Sequence, residues 1–200
     1  MLTVALRRDF PQYASYFSLE GFTTGQQNVP NLNMLIGRFA GADGMKTGFI
    51  CASGFNQIGS ATRNGRTLVS VVLGTDSLAA RADATANLLQ KGFTTQFPGN
   101  DTLGSLKPYG QGQDQVTDIT ADICSAKGAK IRSETRDEVG RMKVSSPYIL
   151  EMDHDPQFVF AGLIPGQDPQ PAQQPEKVAT GDAAGAVANV PVPMPRPTSF

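Results

Sequence analysis

GADGMKTGFICASGFNQIGSATRNGRTLVSVVLG, residues 41–74, is the stretch whose reading decides the fold. Asn64-Gly65 is its strongest local signal. A two-residue type I′ hairpin turn needs positive φ at both central positions, and Asn and Gly tolerate that best. After the turn, Leu68-Val69-Ser70-Val71-Val72-Leu73 is almost continuously apolar and β-branched, the pattern of a strand covered on both faces. Before it, Gly54–Arg63 is more mixed and fits a neighbouring strand nearer an edge or a cleft. Lys46-Thr47-Gly48 then opens a third strand, joined to the hairpin through Ile50–Ser53.

Outward from this core the chain reads as helices laid on a sheet. Asp76 or Ser77 can cap a helix in which Leu78, Ala82, Thr85 and Leu89 recur at helical spacing before Gly92 ends it. Its alanines let it lie close on a sheet, with Phe93 tucked back. Upstream, Leu2–Phe10 predicts a short helix with Leu2, Ala5 and Leu6 on one face, stopped by Pro11. Tyr13, Tyr16 and Phe17 read most simply as core aromatics, the sharper alternative being an aromatic wall for a substrate. Gly21–Thr24 suggests a short strand followed by a turn through Pro30. Asn31 and Asn33 are either plain turn residues or the ordered edge of a cleft.

Downstream the patterning fades. Val116–Ala129 predicts a short helix or strand around Ile119 and Ile123, while Tyr148–Leu150 and Gln157–Ile164 are short apolar pieces that could pack locally. From Pro165 onward, recurrent prolines rule out a regular helix or central strand and predict a disordered, polyproline-rich tail. The expected organisation is a globular part over 1–95, a poorly defined extension over 96–164 and the tail over 165–200.

Composition excludes several classes. Net charge is −1, which favours neither nucleic acid nor an anionic membrane surface as partner. No run approaches the roughly 20 apolar residues that span a bilayer, and no charged segment followed by an apolar one marks an export signal. Closely spaced glycines in 41–54 do not form the GxGxxG that opens a dinucleotide-binding helix. Cys51 and Cys124 have no metal-ligand spacing; they could pair in an oxidising compartment, but their separation favours two buried or incidental thiols. His154, between Asp153 and Asp155, could touch a metal, yet reads first as a solvated loop residue.

Lys46-Thr47-Gly48 carries the chemistry. An ammonium and a neighbouring hydroxyl can hold a carboxylate, and glycine lets another backbone approach; the plain alternative is a solvated lysine in a hairpin. The flanking residues decide between them. Gly41, Asp43 and Gly44 before the motif, Ala52-Ser53-Gly54-Phe55 after it, and Arg66–Gly74 beyond resemble the serine-type D-alanyl-D-alanine carboxypeptidases, low-molecular-mass penicillin-binding proteins. The resemblance runs from about Leu2 to Phe93 and includes Arg8–Tyr13, Tyr16-Phe17-Ser18 and Asn31–Arg38.

The resemblance implies an α/β (α+β) fold: the C-terminal portion of a transpeptidase-like domain, an antiparallel sheet packed by helices. It implies that Lys46 and Thr47 hold the terminal carboxylate of a peptidoglycan stem peptide ending in D-Ala-D-Ala, or of a β-lactam. Gly48 keeps the approach open, and the amide of Phe49 supplies half of an oxyanion hole. It implies no metal or organic cofactor, and a periplasmic site of action. The family's other two motifs are absent. No serine here has a lysine three positions later, and there is no Ser-x-Asn. The expectation is therefore a carboxypeptidase represented by its C-terminal part, without the nucleophile. The competing reading is a non-catalytic remnant or scaffold with a proline-rich interaction tail.

Overall fold

The computed structural model describes residues 1–96, 102–105, 107, 112, 115–131 and 142–162. Helices α1 (Leu2–Asp9) and α2 (Ala14–Phe17) flank a 3-10 turn at Pro11–Tyr13. A hairpin of β1 (Gly21–Thr23) and β2 (Asn28–Pro30) follows, then β3 (Ala42–Ile50), β4 (Gly54–Arg63) and β5 (Arg66–Thr75). Helix α3 (Leu78–Thr94) closes this run. Two short helices, α4 (Thr120–Cys124) and α5 (Ala126–Ile131), and the strand β6 (Val159–Phe160) complete the elements used below.

The main sheet is antiparallel in the order β3-β4-β5. Its second hairpin turns at Asn64 (φ 50°) and Gly65 (φ 76°), the paired positive φ values that a type I′ turn demands. Strand β4 lies in the middle, not near an edge, so its mixed composition reflects two covered faces of different chemistry. Gln57, Gly59 and Ala61 are buried beneath α3, which packs on β4 and β5. A Cβ on Gly59 would stand 2.3 Å from Thr85 Cγ2, a measure of how closely the helix sits. On the opposite face Ser60 is fully buried and Ile58 half-buried.

Strand β5 departs from expectation. Ser70 and Val72 are buried towards α3, but Val71 and Leu73 are 56% and 71% exposed. The apolar run is therefore covered on one face only. Continuous hydrophobicity shows that a strand can be buried twice, not that both faces are met within the same polypeptide.

Helix α3 starts as read: Ser77 is the N-cap, its Oγ accepting from the Ala80 amide at 3.0 Å. It does not end at Gly92. That glycine sits inside the helix facing Leu68, whose Cδ1 would be 2.8 Å from an added Cβ, so it serves close packing instead of termination. The core gathers Leu35, Phe39, Ala61, Ala82, Ala86, Leu89 and Ile149, with Phe93 packed at its margin. Arg63 lies over the rings of both Phe39 and Phe93, at 4.6 and 4.4 Å.

In α1 the expected apolar face is open: Leu2 and Leu6 are exposed, whereas Thr3 is buried and Arg7 half-buried. Tyr13 and Tyr16 are likewise exposed, stacked on one another at 6.2 Å, so they are not core aromatics.

Residues 142–162 cross back over the domain as a strap. The Asp83 carboxylate on α3 accepts from the amides of Ser145 and Ser146. Ile149 enters the core, Leu150 and Arg38 exchange bonds, and β6 pairs parallel with β1. The piece expected to pack locally thus finds partners more than a hundred positions away. The expected proline-rich tail lies outside the described residues.

Candidate substrate strand

Lys46, Thr47, Gly48 and Phe49 stand in consecutive positions on β3, which is an edge strand among the described residues. Lys46 is exposed, and its register partners Ile58 and, beyond it, Val71 place it on the sheet face opposite α3. Its ammonium donates to the carbonyl of Thr47, folding back on its own strand. Thr47 is half-buried. At Gly48 an added Cβ would meet nothing closer than Asn56 Cβ at 3.9 Å. The fold therefore leaves room for a side chain there, and glycine leaves that space open to an incoming backbone. Phe49 is 44% exposed and stacks on Phe55 at 4.2 Å.

The strand is clamped on both sides of this open centre. Upstream, the buried Asn33 donates to the carbonyl of Gly44 at 2.9 Å and accepts from Gln57 Nε2 at 2.8 Å. Asp43 is a second clamp. Its carboxylate accepts from both terminal nitrogens of Arg7 at 3.0 Å and from Ser60 and Thr62 at 2.6 Å each. Burial alone would raise the Asp43 pKa. The hydroxyls of Ser60 and Thr62 and the guanidinium of Arg7 outweigh it and hold the carboxyl below its ordinary value. Arg7 also donates to Ser60, so one node ties α1, β3 and β4 together.

Downstream, the β3–β4 turn is held by a disulfide between Cys51 and Cys124, Cα atoms 5.6 Å apart. This corrects the expectation of two separate thiols: a separation of 73 positions says nothing about proximity once α4 folds back on the turn. The Ile119 amide also donates to the Ala52 carbonyl at 3.1 Å. Asn56 completes the clamp, donating to Ser53 Oγ and the Gly54 carbonyl and accepting from the Gly74 amide.

Of the residues singled out in the sequence, Lys46, Thr47, Gly48 and Phe49 are brought together, and Asn33 supports them from behind. Arg7, Asp43, Ser60 and Thr62 were not read as a unit; Asp43, just before Gly44, was the one visible hint. His154 is an exposed loop residue, as expected, whose ring is tethered at both nitrogens. Nδ1 meets Asp153 at 2.7 Å and Nε2 meets Glu20 at 2.8 Å, which raises its pKa, the Asp153 contact first. Among the described residues no group of three or more His, Cys, Asp or Glu side chains could hold a metal. A cavity of about 730 Å³ lies under the strap, lined among others by Met34, Arg38, Met142, Met152 and His154, and none of its lining residues belongs to β3.

What this arrangement can do chemically is limited and specific. An ammonium, a hydroxyl, a bare Cα and an open strand edge together can hold a carboxylate and align an extended peptide. They cannot supply a nucleophile.

The family described as D-alanyl-D-alanine carboxypeptidase matches residues 1–77. The D-alanyl-D-alanine carboxypeptidase DacC of Escherichia coli is 35% identical over 94 residues, which cover 46% of this chain and 24% of that protein. DacA of Haemophilus influenzae is 36% identical over 88 residues, 43% of this chain and 22% of that protein. The chain thus spans about a quarter of the length of these curated relatives. A penicillin-binding protein of Listeria monocytogenes in its ampicillin-bound form is similar at 32% identity, over 46% of this chain and 38% of that one, with a TM-score of 0.44.

Proposed function

We propose that β3 is the substrate strand of a serine-type D-Ala-D-Ala carboxypeptidase, a reading supported by the match of the D-alanyl-D-alanine carboxypeptidase family to residues 1–77. In this reading Lys46 and Thr47 hold the terminal carboxylate of a peptidoglycan stem peptide or of a β-lactam. The peptide lies along β3 as an added strand, and the Phe49 amide donates to the oxygen of the scissile carbonyl. A serine hydroxyl attacks that carbonyl and passes its proton through a base to the departing D-alanine amine. Water then releases the shortened peptide from the acyl-serine. The serine and its base belong to Ser-x-x-Lys, a motif this sequence does not contain, so catalysis requires a segment that carries it.

One observation carries the reading: the three side-chain types needed to receive a carboxylate and a backbone are consecutive on an edge strand clamped at both ends and open at its centre. The disulfide supports action in an oxidising compartment, in keeping with the periplasm. No described helix is long and apolar enough to cross a membrane.

Fluorescent penicillin tests the proposal. The 200-residue chain alone should remain unlabelled. The same chain joined to a segment carrying Ser-x-x-Lys and Ser-x-Asn should be labelled covalently, and Lys46→Ala should weaken the labelling. A folded, joined protein that stays unlabelled, or whose labelling ignores Lys46→Ala, would overturn it.

A further inference from the structure

We propose that helix α4, anchored by the Cys51–Cys124 disulfide, forms a distal wall for the bound peptide and contacts the residues that precede its D-Ala-D-Ala end. This rests on the substrate-strand reading above and extends it beyond the reacting atoms.

The direction of the peptide follows from the roles given to β3. A carboxylate at Lys46 and Thr47 and a scissile carbonyl at the Phe49 amide place the C-terminal residue first along the strand. The ligand therefore runs antiparallel to β3, and its preceding residues continue past Ile50. A strand advances about 3.3–3.4 Å per residue, so two residues beyond the scissile carbonyl the peptide has moved roughly 7 Å and stands beside Cys51.

At that point the structure provides a surface. Cys124 is bonded to Cys51, and Ile119 is tied to Ala52 through its amide. Ile119 Cδ1 also lies 3.1 Å from where a Cβ on Gly54 would be. Ile123 is buried and fastens α4 from within, while Thr120, Ala121, Asp122 and Cys124 are exposed. The strand end adds an apolar side chain on the Lys46 face, Ile50, which is 62% exposed. The hydrogen bond and the disulfide hold helix α4, with Thr120 and Asp122 exposed, at the end of β3 past which the preceding residues of the peptide run. A dipeptide would be too short to reach it.

Two peptides and the 200-residue chain decide the matter by amide chemical-shift mapping. Acetyl-D-Ala-D-Ala should shift signals over Lys46–Phe49 only. The pentapeptide L-Ala-γ-D-Glu-L-Lys-D-Ala-D-Ala should shift these and also Ala52 and Thr120–Cys124, and should bind several-fold more tightly. In the paired Cys51→Ser, Cys124→Ser variant that gain with length should disappear. If the pentapeptide shifts Lys46–Phe49 but leaves Thr120–Cys124 unmoved, the distal wall is refuted while the substrate strand stands. If neither peptide moves Lys46–Phe49, the substrate strand itself is refuted and the wall with it. Because the mapping is done on the unaltered chain, it decides even if the cysteine variant fails to fold.

Discussion

Replacing Asp43 by alanine should be among the most costly single changes to the region that presents β3. The carboxylate accepts four hydrogen bonds, two from Arg7 and one each from Ser60 and Thr62. A hydrogen bond to a charged group is worth about 1.5–3 kcal/mol net. Four such bonds cannot be summed, because they share one acceptor and fail together. Water also returns to part of the node: the side chains of Arg7 and Asp43 are 22% and 26% exposed, so a freed guanidinium is rehydrated. Ser60 gains no such relief, being fully buried. The expected loss is about 3 kcal/mol, which for a domain of this size lowers the thermal midpoint by about 6–12 °C.

The acid limb gives an independent reading of the same node. Asp43 is held below its ordinary pKa, so its contribution is complete above the unfolded-state value, 3.8, and is lost as pH falls through the lower folded-state value. Asp43→Asn should therefore flatten the fall in stability below pH 3.8. Differential scanning calorimetry at several pH values reads both effects. A midpoint for Asp43→Ala within about 2 °C of the parent would show that the node is ornamental and that the account of how β3 is held is wrong.

Four further outcomes follow. In the chain joined to a segment carrying Ser-x-x-Lys and Ser-x-Asn, Lys46→Ala should slow penicillin acylation by roughly 2–3 kcal/mol, the loss of one charge-assisted bond to a carboxylate, measured as kcat/KM-type labelling rates. Reduction of Cys51–Cys124 releases a closed loop of 73 positions, for which chain entropy gives up to about 4 kcal/mol; the thermal midpoint should drop in reductant, and no drop would mean the bond closes nothing in solution. His154 should titrate above 6.5 and Glu20 below 4.5, so His154 favours docking of the strap until pH rises through its raised pKa, and Glu20 until pH falls through its lowered one; a His154 ring titration at or below 6.5, unmoved by Glu20→Gln, would refute the pairing. Gly59→Ala drives a methyl group against Thr85 Cγ2 and should cost about 1–3 kcal/mol by urea unfolding, with a neutral result showing that α3 sits further from the sheet.

What could be read from the residues depended on how local the cause was. Asn64-Gly65 and Ser77 act within their own turn of chain, and both stand where their chemistry placed them. Lys46–Phe49 could be singled out as a candidate because the residue types are consecutive, and consecutive residues share one strand. Gly92 misled because termination and close packing both select glycine, and only Leu68, from another element, distinguishes them. The openness of Val71 and Leu73 was hidden for a related reason: an apolar strand records what it can bury, not what is there to cover it. Arg7 and Asp43 are 36 positions apart, and Cys51 and Cys124 are 73 apart; at such separations a single sequence holds no record of contact.

The strap sets an order of events in time. Its contacts join Leu150 to Arg38 and Gln157 to Glu20, separations of 112 and 137 positions, among the most distant in the molecule. Contacts that close such long loops are entropically costly to form before the rest of the structure exists to receive them. Yet Ile149 belongs to the core alongside Leu35 and Phe39. During synthesis the ribosome must therefore deliver more than a hundred residues after Leu35 before the core can be sealed. Until then the nascent sheet and α3 carry an unfilled apolar seat, which a chaperone that holds chains unfolded would find exposed.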